Sequence, residues 1–284
     1  MNSRIRRAWI GGIVGLALAA AIPSTAIGAW KQSVEAGFLP ELKAQIPIPP
    51  PHLNLGPKDS KVGTLYTRLL LSPNGDAGPP PSVGVIDIHA PEELTFKTKG
   101  LPQCDPATIT GRGAEEARNL CSDSVLGQGH ATAAIIGTPV RVAGDTTLFN
   151  GTPQNGFPTV LFHSTAGGLP IVLVAEMQQS PLPGHGTLFH TLVAISAGGA
   201  VPDGTPIVDT DFTLSKKYTD KKLAKKAKKA KKKGNTKKAK KLKKKSKVSW
   251  VVARCGDGVG TTRVETTYVS GSGPQVATTE QSCD

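Results

Sequence analysis

Short runs in which apolar and polar residues alternate, separated by Gly, Pro, Asn and Ser, fill the chain from Val62 to Gln281. Alternation at period two sends successive side chains to opposite faces, which is the pattern of half-buried strands rather than helices. It is clearest at 208–214, where Val208, Phe212 and Leu214 face one way and Asp209 and Asp211 the other. Further strands are predicted at 65–71, 83–89, 130–136, 140–143, 146–150, 159–164, 171–177, 187–195, 250–254, 262–269 and 275–281. A strand at 94–99 follows the turn Ala90-Pro91-Glu92-Glu93 and should pair with 83–89 as a hairpin. Many short strands with 32 glycines and 5% aromatic residues predict an all-β fold, specifically an antiparallel β-sandwich.

Two stretches break the pattern. Between Cys104 and Cys121, Asp105-Pro106 reads as an N-cap followed by a first-turn proline, and Ala114-Glu115-Glu116-Ala117-Arg118-Asn119-Leu120 has helical spacing. One or two short helices are predicted there. The second break is 216–247, where Leu223, Ala227 and Ala230 recur at helical spacing, Gly234-Asn235-Thr236 interrupts, and Ala239 and Leu242 resume. It lies between two predicted strands and reads as an enlarged hairpin connection. Like charges three and four residues apart oppose the Ala and Lys helix propensity, so a marginal helical hairpin, firmed by anions, is expected.

That segment also holds the charge. The chain is +13 overall, but 216–247 carries 19 lysines and one acid, Asp220, leaving the rest at −5. The amino terminus supplies three of the other cations: Arg4, Arg6 and Arg7 precede an uncharged run from Ala8 to Ile22, then Pro23, and small residues at Ala26, Gly28 and Ala29. This order is that of a cleavable secretory signal peptide over 1–29, with an uncleaved anchor as the alternative. The proline-rich stretch 30–60, with Ile46-Pro47-Ile48-Pro49-Pro50-Pro51, lacks ladder donors and is expected to be a tail or linker. The sandwich domain is then 61–284, with 216–247 inserted in it. Export favours disulfides for Cys104, Cys121, Cys255 and Cys283. Three pairings are possible, and the sequence-local one, Cys104–Cys121 with Cys255–Cys283, is preferred.

A lysine run attracts polyanions by charge and counterion release. The candidate binding residues are Lys221, Lys222, Lys225, Lys226, Lys228, Lys229, Lys232, Lys237, Lys238, Lys241 and Lys244. Wall polymers, anionic lipid headgroups and nucleic acid are all chemically suitable. No arginine fork or interleaved aromatic is present in the run, so base-specific recognition of nucleic acid is not expected. A solvated low-complexity insertion, or a structural surface protein in which the lysines are inert, is the competing reading.

Catalytic and cofactor signatures are lacking: there is no Gly-x-Ser-x-Gly elbow, no phosphate-binding Gly-x-x-x-x-Gly-Lys loop and no His-Glu-x-x-His helix. No catalytic residue, metal or cofactor is therefore assigned. His185 and His190 lie five apart, on opposite strand faces, and His190 between Leu188 and Leu192 reads as a packed histidine. Asp209 and Asp211 are weak calcium candidates and fit ordinary solvated carboxylates better. Asn150-Gly151-Thr152 fits a glycosylation sequon. A hydrolase would need His163, His185 or His190 to meet a serine and a carboxylate in space.

Gly100-Leu101-Pro102-x-Cys104, the sixteen-residue gap to Cys121, Val125-Leu126-Gly127-x-Gly129, Thr147-Leu148-Phe149-Asn150-Gly151 and the terminal Ser282-Cys283 carry a resemblance. The chain from about Val62 onward resembles a group of exported β-rich proteins of soil actinobacteria, of the Solirubrobacter type. The resemblance implies export and no assigned activity, and it brings no catalytic residue with it. The lysine insertion departs from the shorter hairpin of that group.

Overall fold

The computed structural model describes residues 30–40, 60–73, 80–98, 100–134, 140–193, 206–215, 217–219, 221–254, 259–269 and 273–282. The expected leader, the polyproline stretch and the Cys255–Cys283 bridge lie outside them. The strands in chain order are β1 Trp30–Pro40, β2 Ser60–Pro73, β3 Val83–Pro91, β4 Leu94–Phe96, β5 Val125–Ala134, β6 Arg141–Gln154, β7 Phe157–Ala166 and β8 Leu169–Gln179. Next come β9 His185–Leu192, β10 Ile207–Leu214, β11 Lys217–Thr219, β12 Lys247–Ser249, β13 Val251–Arg254, β14 Val259–Tyr268 and β15 Gln275–Ser282. The helices are α1 Pro106–Ile109, α2 Ala114–Leu120, α3 Lys221–Lys232 and α4 Thr236–Ser246.

Thirteen strands form one antiparallel sheet in the order β15-β14-β3-β9-β8-β7-β6-β5-β10-β2-β13-β4, with β1 also along β2. The all-β, antiparallel expectation holds, but the two stacked layers of a sandwich do not form. Instead the sheet curls until its ends meet: the Gln275 carboxamide donates to the Trp30 carbonyl at 3.0 Å, and that of Gln32 to the Val264 carbonyl at 3.1 Å. The result is a nearly closed barrel. β5 and β10 approach each other closely. Gly127 pairs with Leu214 and Gly129 with Phe212, and a Cβ at either glycine would overlap the carbonyl oxygen of Thr213 or Asp211. The Gly-x-Gly of the sequence is therefore a close-approach device.

Two further expectations change. Trp30–Pro40, expected in a tail, is a strand that pairs with β2 along its length and buries Trp30 and Val34. Leu94–Phe96 does not form a hairpin with β3; it pairs with β13, while β3 lies between β9 and β14.

Inside the barrel, Leu65, Leu126, Leu148, Val160, Phe189, Phe212, Leu214 and Trp250 pack at one end, and Trp30, Leu69, Leu71, Val83, Val264 and Tyr268 at the other. The void among Leu65, Phe162, Phe189 and Phe212 is about 20 Å³, room for little more than one water, so this end is a filled core and not a ligand cup. β6 and β7 bury both faces. Leu148 and Val160 point into the barrel, while their neighbours Phe149 and Leu161 point outward under α1 and α2, against Ile109 and Ala117.

That helical cover is pinned as the sequence predicts. The Asp105 side chain caps α1 by accepting from Ala107 N–H at 2.9 Å. Cys104 and Cys121 form a disulfide with 5.6 Å between their Cα atoms. Asn150 Nδ2 donates to the Pro102 carbonyl at 2.8 Å, and Asn150 is only 1% exposed, which closes the sequon to glycosylation.

A cationic helical hairpin as the candidate site

β10 leaves the barrel at Leu214, opposite Leu65 of β2, and β13 returns to β2 with Val252 opposite Val62. Everything between is the lysine segment, inserted between two strands that abut neighbouring stretches of β2. Its stem is the two-stranded ladder β11–β12, with Tyr218 opposite Val248. Tyr218 and Trp250 anchor the stem in the core, where Trp250 is fully buried and its ring lies 4.9 Å from that of Phe96. Burial pushes the Tyr218 hydroxyl pKa well above its usual value.

From this stem α3 and α4 run out as a helical pair. Gly234, at φ +74°, ends α3 in the left-handed conformation that favours glycine. Asn235 then caps α4 by accepting from Lys238 N–H at 3.1 Å. The pair packs through small residues, with Ala227 and Ala239 buried and Leu223, Ala224, Ala230 and Leu242 half-buried. A buried methyl-sized group contributes only about 0.8 kcal/mol. Against that thin seam stand eight lysines in the twelve residues of α3 and seven in the eleven of α4, with no acid in either. Like pairs at helical spacing each cost about 0.2–0.5 kcal/mol.

Between the helices lies a cleft of about 500 Å³ with Ala224, Ala227 and Ala239 along its floor. Lys228, Lys231, Lys240, Lys243 and Lys247 line it, with the hydroxyl residues Thr219 and Thr236. Of the lysines singled out from the sequence, only Lys228 is in this lining. Lys222, Lys225, Lys226, Lys229, Lys232, Lys237, Lys238, Lys241 and Lys244 are exposed outside it, and Lys221 opens α3. Lys231, Lys240, Lys243 and Lys247 are the lysines that sequence reasoning missed. The alanines carried the signal: Lys228 and Lys231 lie four residues beyond Ala224 and Ala227, and Lys243 four beyond Ala239, on the seam side of each helix.

The histidines go elsewhere. His163 is buried and donates from Nε2 to the Arg112 carbonyl, while its neighbour Ser164 sits on the opposite face beside Thr146. His185 Nδ1 donates to the Pro183 carbonyl, and His190 Nδ1 lies 2.6 Å from Asp87 Oδ1 across the β3–β9 pair. The serine contact belongs to His89, which the sequence did not single out. Its Nδ1 is 2.9 Å from Ser180 Oγ, and its Nε2 is 4.0 Å from Glu265 Oε1. This constellation ties the fold together: His89 is 4% and Ser180 7% exposed, and the serine oxygen already accepts from Leu182 N–H. Burial, above all, lowers the His89 pKa.

Asp209 makes a two-pronged ion pair with Arg68, at 3.1 and 2.8 Å, and Asp211 faces His130 at 3.5 Å. Among the described residues no three His, Cys, Asp or Glu side chains converge as a metal would require, and no helix is long and apolar enough to cross a membrane. Comparison with protein-family models and with curated proteins returns no match.

Proposed function

We propose that this chain is a noncatalytic exported or cell-wall-associated β-domain that binds polyanions through its lysine hairpin. The observation that carries the reading is the acid-free helical pair, carried on the β11–β12 stem that Tyr218 anchors in the core, with lysines around the cleft between its helices. The composition outside the hairpin supports it: with the insertion removed the chain is net acidic, so attraction to a polyanion would be confined to this arm. The arginine-led apolar amino terminus and the resemblance to exported actinobacterial proteins support the location. Charge-driven binding of this kind is sensitive to salt and indifferent to sequence.

The test is retention on isolated wall polymer and on heparin, by the whole chain and by a form in which 221–245 is replaced by a short turn. Retention that falls steeply with salt and disappears with the replacement is expected. Equal partition of the two forms would make the hairpin inert and leave a structural surface protein as the reading.

A further inference from the structure

Resting on that reading, we propose that the cleft between α3 and α4 is the specific seat, and that its ligand is a single unbranched chain of phosphate groups, such as inorganic polyphosphate or a polyol phosphate. Three features select this chemistry. Lysine ammonium groups are donors only, and the hydroxyls of Thr219 and Thr236 add to them, so the ligand must supply acceptor oxygens. Lys228 with Lys231, and Lys240 with Lys243, are each three residues apart, which sets ammonium stems about 4.5 Å apart along each helix. Five such groups around about 500 Å³ ask for a ligand of matching charge density. Inorganic polyphosphate, with a negative charge on every link, meets it in full; a polyol phosphate, with one charge per slim unbranched repeat, meets it less fully and is the weaker ligand of the two.

Size and surface chemistry remove the other phosphate polymers. A nucleic-acid duplex, whose major groove alone is about 12 Å wide, is too broad to enter. A single strand would enter with bases for which the cleft offers no aromatic or arginine partner. Binding also acts on the fold of the hairpin. Neutralising the facing lysines removes the repulsion that opposes both helices, so occupancy and helicity rise together.

The test uses the whole chain and two variants of equal charge. One carries Lys→Gln at 228, 231, 240, 243 and 247, the other at 225, 229, 237, 241 and 244. Affinity and far-ultraviolet helicity are followed on titration with inorganic polyphosphate, a polyol phosphate, single-stranded and duplex oligonucleotides, and heparin. The expected result is a helicity gain with the two phosphate chains, about a tenfold loss of affinity for them in the cleft variant, and less than about a threefold loss in the outer variant. Equal losses in the two variants, or oligonucleotides or heparin bound as tightly as polyphosphate, would overturn the cleft assignment while leaving general polyanion binding intact. Failure of the unmodified chain to bind any of the five would remove both.

Discussion

His163 on β7 donates from Nε2 to the carbonyl of Arg112, at 2.8 Å, and so clasps the turn between α1 and α2 onto the outer face of the sheet. With Nε2 carrying the proton, Nδ1 is unprotonated and buried, without a hydrogen-bond partner. Burial, the largest cause, lowers the His163 pKa below 6.5, and the Arg112 carbonyl only partly opposes it. The sign follows from linkage. Above about pH 6.5 neither the folded nor the unfolded histidine is charged, and the clasp is at full strength. Below that, the unfolded chain takes up a proton that the folded one resists, so stability falls with pH until the folded pKa is passed. His89 acts in the same direction. Urea midpoints between pH 8 and pH 5 should therefore decline, and His163→Gln should flatten the decline while lowering stability at pH 8 by about 1–3 kcal/mol.

The Cys104–Cys121 bridge closes a separation of 17 residues around both short helices. Chain-entropy arguments give such a loop about 3 kcal/mol. A Cys104→Ser, Cys121→Ser double variant should lose about that much in denaturant unfolding. It should also become cleavable by protease within 105–120, while the β spectrum of the barrel persists.

Gly127 and Gly129 face backbone carbonyls of β10 at close range. Gly129→Ala has no flexible side chain to push aside, so the strands must separate. The expected loss is about 1–3 kcal/mol or more. Gly273→Ala meets no atom within 4 Å, caps no helix and is the control, with a change near zero. Thermal unfolding of both variants checks the contrast.

Trp250 and the helices of the hairpin should behave oppositely. Trp250→Ala removes a fully buried ring from among Phe96 and its neighbours and should cost about 3–5 kcal/mol. Replacing 221–245 by Asn-Gly keeps the stem and loses only the alanine seam, so barrel stability should move by less than about 1 kcal/mol. Calorimetry on the two forms separates stem from arm.

Local patterns showed what depends on local physics. Period two marked β10 and placed Val208, Phe212 and Leu214 inside; the Asp105 cap and the glycine break at 234 marked the helices. What depends on distant partners was not legible. Proximity in sequence favours a hairpin of β4 with β3, yet its partner β13 lies more than 150 residues further along the chain. Trp30–Pro40 carries only a weak alternation beside a proline-rich stretch, and its burial comes from β2. Barrel or sandwich is decided by whether the Gln275 end meets the Trp30 end, which no single segment encodes. Likewise the cleft lysines are defined by the packing of α3 on α4, which buries Ala227 and Ala239.

The placement of Leu214 against Leu65 and of Val252 against Val62, three residues apart on β2, has a practical corollary. A chain that leaves one partner of β2 and returns as another, a few residues along, leaves the rest of the barrel indifferent to what is spliced between. The cationic arm is then a removable cassette, and the Tyr218–Val248 stem a socket into which a different binding head can be plugged.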